Sequence, residues 1–317
     1  MATDKSRAAG HIFALLTVLF WGSTFICTKV LLDSFSAVQI LVARFLIAYA
    51  ACWVVRPKWI KPVIKDELGF LALGVLGDSL YSLMENVAID LSTASNVSIL
   101  VTVAPVFTLI LAHIFTKDEK ANAKLAAGSV IAFLGVVLVV LNGSMVLKLG
   151  AWGDLLAIGA ALCWAVYSII VKLFVDRFDP IVLTRKMLFY GALTAIPMAL
   201  IEGKPVNLAA FLEPGMLVSI LVLGLLGSCV CFILWNGAIK RLGVITTSNY
   251  IYFIPFVTVA VAAIVLKERI TAMALIGAVL IISGVVFCTA DIKLPWKRKK
   301  PPEDGQPAPE GQEDGRA

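Results

Sequence analysis

Charged residues are scarce in this chain. Asp, Glu, Lys and Arg make up 15% of its 317 residues, while 60% are hydrophobic and the mean hydropathy is +0.94. A soluble globular domain carries about a quarter charged residues and about half apolar ones. The composition therefore excludes an ordinary soluble domain and indicates an integral membrane protein.

Residues that serve catalysis and metal binding are also few. The chain has two histidines, His11 and His113, and their spacing suggests no metal site. An enzyme in the membrane would need a nucleophile with its base, or metal ligands, near one face. No glycine-rich phosphate loop is evident, so ATP-driven transport by this chain alone is disfavoured. We therefore predict a protein that is not an enzyme and that has no cofactor and no metal ion.

Long apolar segments are what the sequence has instead. A helix needs about 20 mostly apolar residues to cross a bilayer core about 30 Å thick. All six cysteines fall inside such segments, where a free thiol behaves as a small apolar group, so no disulfide framework is expected. Ten segments, numbered here as spans 1 to 10, predict an all-α membrane protein with ten transmembrane helices: roughly 11–32, 37–55, 68–88, 94–116, 122–141, 151–174, 180–201, 216–239, 244–266 and 271–290.

The loop charges predict the orientation. With the N-terminal residues 1–10 in the cytoplasm, seventeen Lys and Arg lie inside and four lie outside. Basic loops favour the cytoplasmic side. We therefore expect a multi-pass protein with both termini cytoplasmic and a disordered tail at 291–317. No cleavable signal is evident, which favours a bacterial inner membrane. The net charge of +6 then reflects topology and attraction to anionic lipids, with no nucleic-acid partner.

The two halves of the chain repeat each other. Each predicted half has five spans, 11–141 and 151–290. Because five is odd, the second half enters the membrane from the opposite side, which is an inverted-repeat transporter architecture with its substrate site where the halves meet. Residues that match after shifts of 143 or 150 positions include Trp21 with Trp164, Gly77 with Gly227, Asn86 with Asn236, and Pro105 with Pro255.

Several motifs resemble one transporter family. They are FWGSTF at 20–25, SNVSILVTVAPVF at 95–107 and KDE at 117–119, with second-half partners LCWAVYS at 162–168, SNYIYFIPF at 248–256 and KER at 267–269. The pattern over residues 10–290 resembles the ten-helix EamA-type branch of the drug/metabolite transporter superfamily. The resemblance implies two five-helix bundles around a central cavity lined mainly by the first, third and fourth spans of each half. It implies movement of small metabolites, often outward.

Polar and aromatic residues on shared helix faces are the candidates for the cavity wall. A narrow arc of span 1 carries Trp21, Thr24 and Thr28, because these positions recur at helical spacing. Thr side chains that pack helices together are the competing explanation. Related faces in three other spans add Trp164, Tyr167 and Ser168 (span 6), Ser98 and Thr102 (span 4), and Asn249, Tyr250 and Tyr252 (span 9).

Two acids lie inside predicted span 3. Asp78, Tyr81, Ser82 and Glu85 have the spacing of one helical stripe, and a charge in mid-membrane needs a partner, a proton or water. Three explanations stay open: ion pairs with Lys29 or Arg44, a proton carrier, or a site for a cationic group of the substrate. In the second half, the position that corresponds to Asp78 is Ser228 and the position that corresponds to Glu85 is Trp235, so the acids are not shared by both halves.

These observations predict a secondary active transporter that works by alternating access. The expected activity is export of a small metabolite such as an amino acid or amine, driven by protons or by the substrate's own gradient. A lipid-linked metabolite flippase and an importer of a small organic solute are the alternatives. The expected partners are the small-molecule substrate, the lipid bilayer and protons, and the expected state is a monomer or a homodimer.

Overall fold

The structure, a computed structural model, describes residues 4–92, 94–141, 151–266 and 272–289, and every regular element within these ranges is helical. The all-α membrane fold is thus confirmed. Eight helices are long and apolar enough to cross a membrane, and spans 5 and 10 contain the shorter apolar stretches Ala123–Leu138 and Leu275–Cys288. The predicted tail at 291–317 and the KER motif at 267–269 lie outside the described residues.

Six spans are continuous α-helices: Asp4–Leu32 (span 1), Ala37–Val55 (span 2), Ala123–Leu141 (span 5), Ala151–Phe174 (span 6), Pro180–Glu202 (span 7) and Ala272–Thr289 (span 10).

The other four spans are interrupted, and the interruptions match between the halves. Spans 3 and 8 each contain a π-helix, a wider turn with i to i+5 hydrogen bonding that sequence analysis did not predict. Span 3 is built from Ile64–Leu73, the π-helix Gly74–Leu80 and Tyr81–Leu91, and span 8 from Pro214–Leu221, the π-helix Val222–Val230 and Cys231–Leu242. Span 4 is built from Ala94–Val101 and Ala104–Phe115, and span 9 from Val244–Ser248, the 3-10 helix Asn249–Phe253 and Ile254–Leu266.

Proline explains the breaks in spans 4 and 9. Pro105 is the second residue of Ala104–Phe115, and Pro255 is the second residue of Ile254–Leu266. Because proline has no N–H and clashes with the preceding turn, an α-helix rarely continues through it, whereas the first turn accepts it. Each break therefore falls just before its proline, near the middle of its span.

Local signals also set the helix ends at one side of the bundle. Ser36 and Gln39 form a reciprocal capping box at the start of span 2, in which each side chain accepts the backbone N–H of the other residue. Gly203 ends span 7 with φ +64°, a conformation that costs glycine little. The start of span 2 and the end of span 7 are therefore each encoded locally.

Helix packing has two-fold pseudosymmetry. Span 1 packs on spans 8 and 9, and span 6 packs on spans 3 and 4, so exchanging the halves maps each contact onto another one that is present. Span 2 packs on span 7, and span 5 on span 10, and these pairs map onto themselves. Every one of these contacts joins the two halves, and the space between spans 1, 3, 4, 6, 8 and 9 lies at the centre.

Glycines allow spans 5 and 10 to approach closely. A Cβ added to Gly135 would lie 2.6 Å from the carbonyl oxygen of Gly277, and one added to Gly128 would lie 2.9 Å from that of Gly284. The backbones are therefore in contact, as small residues permit between membrane helices.

We expect Gly135→Val to destabilise the protein, because the contacting atoms belong to the partner backbone and cannot rotate away. Overpacking of this kind costs about 1–3 kcal/mol. Thermal unfolding of the detergent-solubilised protein measures the loss. The matched control is Ala127→Val on the exposed face of the same span, which should leave the melting temperature unchanged. Equal melting temperatures for both variants would contradict the close packing.

Candidate functional site

A cavity lies between the halves at the centre of the bundle. Counted with its open mouth, it has about 510 Å³ of empty space, of which about 40 Å³ admits the centre of a water-sized sphere. Spans 1, 2, 3, 4, 6, 8 and 9 all contribute to its wall. The lining residues are Trp21, Thr24, Phe25, Arg44, Tyr81, Ser82, Glu85, Val101, Ala104, Trp164, Phe232, Ile251 and Ile254.

Aromatic rings form one wall of this cavity. The repeat-related Trp21 and Trp164 meet edge to face with ring centroids 5.1 Å apart. Phe232 lies 5.7 Å from Trp21, and Tyr81 lies 5.1 Å from Trp164. The Trp21 indole donates a hydrogen bond to the carbonyl of Gly227 at 3.0 Å, which fixes its ring. Edge-to-face pairs are favourable, so the wall is held in place by its own contacts.

The carboxylate of Glu85 lies in the same cavity as these rings. Glu85 lines the cavity, is 8% exposed, and accepts a hydrogen bond of 2.6 Å from the Tyr81 hydroxyl. Ser82 lines the cavity one turn earlier. The matching positions in span 8 are Phe232 and Trp235, so span 3 supplies a polar surface where span 8 supplies an aromatic one. The cavity is therefore amphiphilic.

Arg44 brings a positive charge to the same cavity. Its Nε donates to Ser228 Oγ at 2.8 Å, and this is the hydrogen bond that the structure gives this side chain within the described residues. Four further N–H groups of the guanidinium therefore remain for an acceptor in the cavity. Arg44 interacts electrostatically with Glu85 and Asp78, but neither acid lies within the 4.0 Å of an ion pair.

Asp78 is placed differently from Glu85. It lies in the π-helix Gly74–Leu80, is fully buried, and has no hydrogen-bond partner on either carboxylate oxygen in the described part of the chain. It packs against Gly191, where an added Cβ would lie 2.9 Å from Asp78 Oδ2. It does not line the cavity, although Ser82, one turn on, does.

The ion pairs that sequence analysis left open are not formed between described residues. Lys29 is exposed and donates to the carbonyl of Ile89 at 3.1 Å, and Arg44 is anchored on Ser228. The two acids therefore have separate surroundings: Glu85 faces a cavity beside an opposite charge, whereas Asp78 is enclosed without a partner.

Six of the sixteen predicted site residues line the cavity, and the others lie behind it. Trp235 is buried against Trp21 with centroids 5.1 Å apart, and the Tyr167 hydroxyl donates to Asn236 Oδ1 at 3.0 Å. The Thr102 and Ser168 hydroxyls donate to backbone carbonyls three and four residues earlier. Thr28, Ser98, Asn249, Tyr250 and Tyr252 are buried away from the lining, Tyr250 with its hydroxyl 2.7 Å from His11 Nδ1. Their roles in transport stay predictions.

Sequence analysis missed part of the lining. The sequence pattern predicts Arg44 only as a partner for the acids, although an arginine inside a span is itself a sign of function. Phe232 could have been predicted from the repeat, because it is the position in the second half that corresponds to Ser82. Phe25, Ile251 and Ile254 carry no signal, because apolar residues are the rule in a membrane helix.

The KDE motif joins the ends of spans 4, 6 and 9. Glu119 accepts the backbone N–H groups of Val244 and Ile245, both at 2.8 Å, and pairs with Lys172 at 3.0 Å. The loop after span 4 thus caps span 9 and binds the end of span 6. Asp118 is mostly exposed, and the nearby Lys172 ammonium lowers the pKa of its carboxyl.

We expect Glu119→Ala to cost about 2–4 kcal/mol, because it leaves two helix N–H groups without their partner and removes one of the two carboxylates that pair with Lys172. Thermal unfolding in detergent checks this. Asp118→Ala is the matched control, since an exposed ion pair contributes only about 0–1 kcal/mol. The cap assigned to Glu119 would be contradicted by equal losses in the two variants.

Comparison with known proteins follows the same division into halves. The model of the EamA-like transporter family matches twice, at residues 8–141 and 151–290. The resemblance drawn from the sequence motifs is thereby confirmed. One solved crystal structure superposes with a TM-score of 0.73 over 89% of this chain and 96% of its own, at 16% identity, a likeness that shows the fold alone.

Curated relatives match over nearly their full length. An "Uncharacterized transporter" of Archaeoglobus fulgidus is 29% identical, over 88% of this chain and 97% of its own. A "Probable terminal-alkyne amino-acid exporter" of Streptantibioticus cattleyicolor is 29% identical, over 86% and 91%. A "Probable amino-acid metabolite efflux pump" of Escherichia coli is 26% identical, over 92% and 98%.

Proposed function

Because the chain belongs to the EamA-like transporter family, we propose that it is a secondary carrier that exports small amino acids. The family makes it a multi-pass membrane transporter of a small molecule, and both the family and the names of its relatives point to a protein that is not an enzyme. The substrate, the direction and the mechanism are the proposal.

One observation carries the substrate class. Glu85 and Arg44 place charges of opposite sign on the wall of one cavity without forming an ion pair. An α-amino acid carries an ammonium and a carboxylate on neighbouring atoms. Its ammonium can bind Glu85, and its carboxylate can accept from the uncommitted N–H groups of Arg44, a geometry that guanidinium groups favour. Burial makes each unpaired charge costly, so a zwitterion is stabilised by both.

The aromatic wall complements this pair of charges. Trp21, Trp164 and Phe232 offer ring faces and edges to an apolar side chain, and a ring near Glu85 also attracts an ammonium group. An amphiphilic amino acid would contact both walls at once. The names of two relatives, an amino-acid exporter and an amino-acid metabolite efflux pump, support this class and the outward direction.

The proposed mechanism is alternating access coupled to protons. Inverted halves around a central site are the architecture of alternating access. We assign the proton to Asp78, because a carboxyl buried without a partner is much more stable as the neutral acid. The proposed location is the bacterial inner membrane with both termini cytoplasmic, on the charge distribution of the loops.

The test is counterflow in proteoliposomes with a series of matched ligands. Vesicles loaded with an unlabelled apolar amino acid should take up the same labelled compound, whereas the decarboxylated amine and the deaminated acid should compete weakly. Saturable exchange of the amino acid alone supports the proposal. Equal competition by the amine would exclude a carboxylate site at Arg44. No exchange with any of the three would exclude the substrate class, and accumulation opposite to the export direction would identify an importer.

A further inference from the structure

A second pocket opens at one end of spans 2, 3 and 7. It shares no residue with the central cavity. Its apolar surface comes from the rings of Tyr49, Trp53 and Phe189, and its polar groups are Glu67, Arg185 and Lys186. Tyr49 packs on Phe189 with centroids 5.9 Å apart and on Trp53 at 6.4 Å, so the rings form one continuous surface.

Buried hydrogen bonds hold this pocket in shape. Arg185, 3% exposed, donates to the carbonyls of Arg56 and Lys58 and lies 3.9 Å from the centroid of the Trp53 ring. It thereby ties the loop after span 2 to span 7. Glu67 accepts from Lys186 and from the Tyr190 hydroxyl, both at 2.6 Å. The pocket is therefore built by specific contacts from three elements.

The loop that supplies Trp59, Ile60 and Pro62 to the pocket wall is rich in basic residues, of which Arg56 pairs with Asp179 at 2.7 Å. The loop sequence RPKWIKPVIK at 56–65 carries Arg56, Lys58, Lys61 and Lys65. Trp59 is 73% exposed on the same loop and stacks on Trp53, with centroids 6.2 Å apart. Val54, 85% exposed at the end of span 2, must face lipid in a membrane protein. Tryptophan and lysine at the end of a span mark the level of the headgroups.

We propose that this pocket binds one anionic phospholipid. The acyl chain lies along Tyr49 and Phe189, and the phosphate lies at the lysines of this loop, 56–65, which attract anionic headgroups. Lys186 uses one of its three N–H groups on Glu67, which leaves donors for a phosphate oxygen. A zwitterionic lipid offers the same chain without the net negative charge, so charge decides the occupant.

Thermal unfolding with added lipid tests this proposal. Dimyristoyl phosphatidylglycerol in nonionic detergent should raise the melting temperature of the full-length protein by roughly 3–6 °C, whereas phosphatidylcholine should not. The variant K58Q/K61Q should lose at least half of the rise. The control K5Q/K240Q removes two exposed lysines elsewhere and should keep the rise. An equal rise with phosphatidylcholine, or an unchanged rise in K58Q/K61Q, would overturn the proposal. A rise of the same size with inorganic phosphate alone would show a free-anion site instead of a lipid site.

A second measurement decides if the lysine variant does not fold. Phosphatidylglycerol brominated near the top of its acyl chain should quench tryptophan fluorescence more strongly in wild type than in Trp59→Phe, because Trp59 stands at the mouth of the pocket. Brominated phosphatidylcholine should not distinguish the two proteins. If both lipids give the same difference, the pocket does not select anionic lipid and the proposal fails.

Discussion

Glu85→Gln is expected to weaken binding of amine-bearing substrates by roughly ten- to hundredfold. A hydrogen bond to a charged group contributes about 1.5–3 kcal/mol, and 1.4 kcal/mol corresponds to a factor of ten. Glutamine keeps an oxygen that can accept from the Tyr81 hydroxyl, so the local structure should survive while the charge is lost. The half-saturation concentration in counterflow measures the effect.

The matched control for this prediction is Glu213→Gln. Glu213 is exposed at the start of span 8 and makes no capping hydrogen bond with its side chain. Its replacement removes one negative charge without touching the cavity and should leave transport unchanged. If a folded Glu85→Gln protein has the affinity of wild type for the same substrate, Glu85 does not bind the amine.

Asp78→Asn is expected to abolish accumulation driven by a pH gradient while exchange continues. Asparagine resembles the neutral carboxylic acid in shape, so the form of the protein with a protonated Asp78 should be retained. One proton coupled across about one pH unit supports roughly tenfold accumulation, and that ratio should fall to one. Proteoliposomes with an imposed pH difference give the ratio, and counterflow at equal pH gives the exchange rate.

The comparison of the accumulation ratio with the exchange rate separates coupling from structure. Loss of a coupling residue lowers the accumulation ratio alone, whereas loss of a structural residue would lower the ratio and the exchange rate together. Asp90→Asn, at the exposed end of the same span, is the control and should keep both. Full accumulation by a folded Asp78→Asn protein would assign the proton elsewhere.

Hydropathy and repetition were enough to predict the architecture. Ten apolar segments and pairs such as Trp21 with Trp164 indicated helices and two related halves, because the bilayer forces apolar length on every span. The two indoles were predicted to line one cavity, and in the structure they also contact each other, with centroids 5.1 Å apart. These features follow from patterns that are repeated along the chain.

The details of the site depend on the backbone and could not be read from spacing. Ideal helical spacing put Asp78 on one stripe with Ser82 and Glu85, but the π-helix Gly74–Leu80 changes the turn and separates Asp78 from the cavity. Thr102 was a candidate because it is polar within a span, yet its hydroxyl bonds to the carbonyl of Ile99. A polar residue within a helix can bond to its own backbone, and sequence does not distinguish this from a site.

The paired π-helices also bear on how the chain arose. A π-helical turn has the form of an α-helix into which one residue has been inserted. Adding 150 to Gly74–Leu80 gives 224–230, which lies inside Val222–Val230, so both halves carry the insertion at one ancestral position. A single insertion before gene duplication accounts for both. The two copies now differ at Asp78 against Ser228 and at Glu85 against Trp235. On this account these differences arose after the duplication, on a backbone that already carried the wide turn.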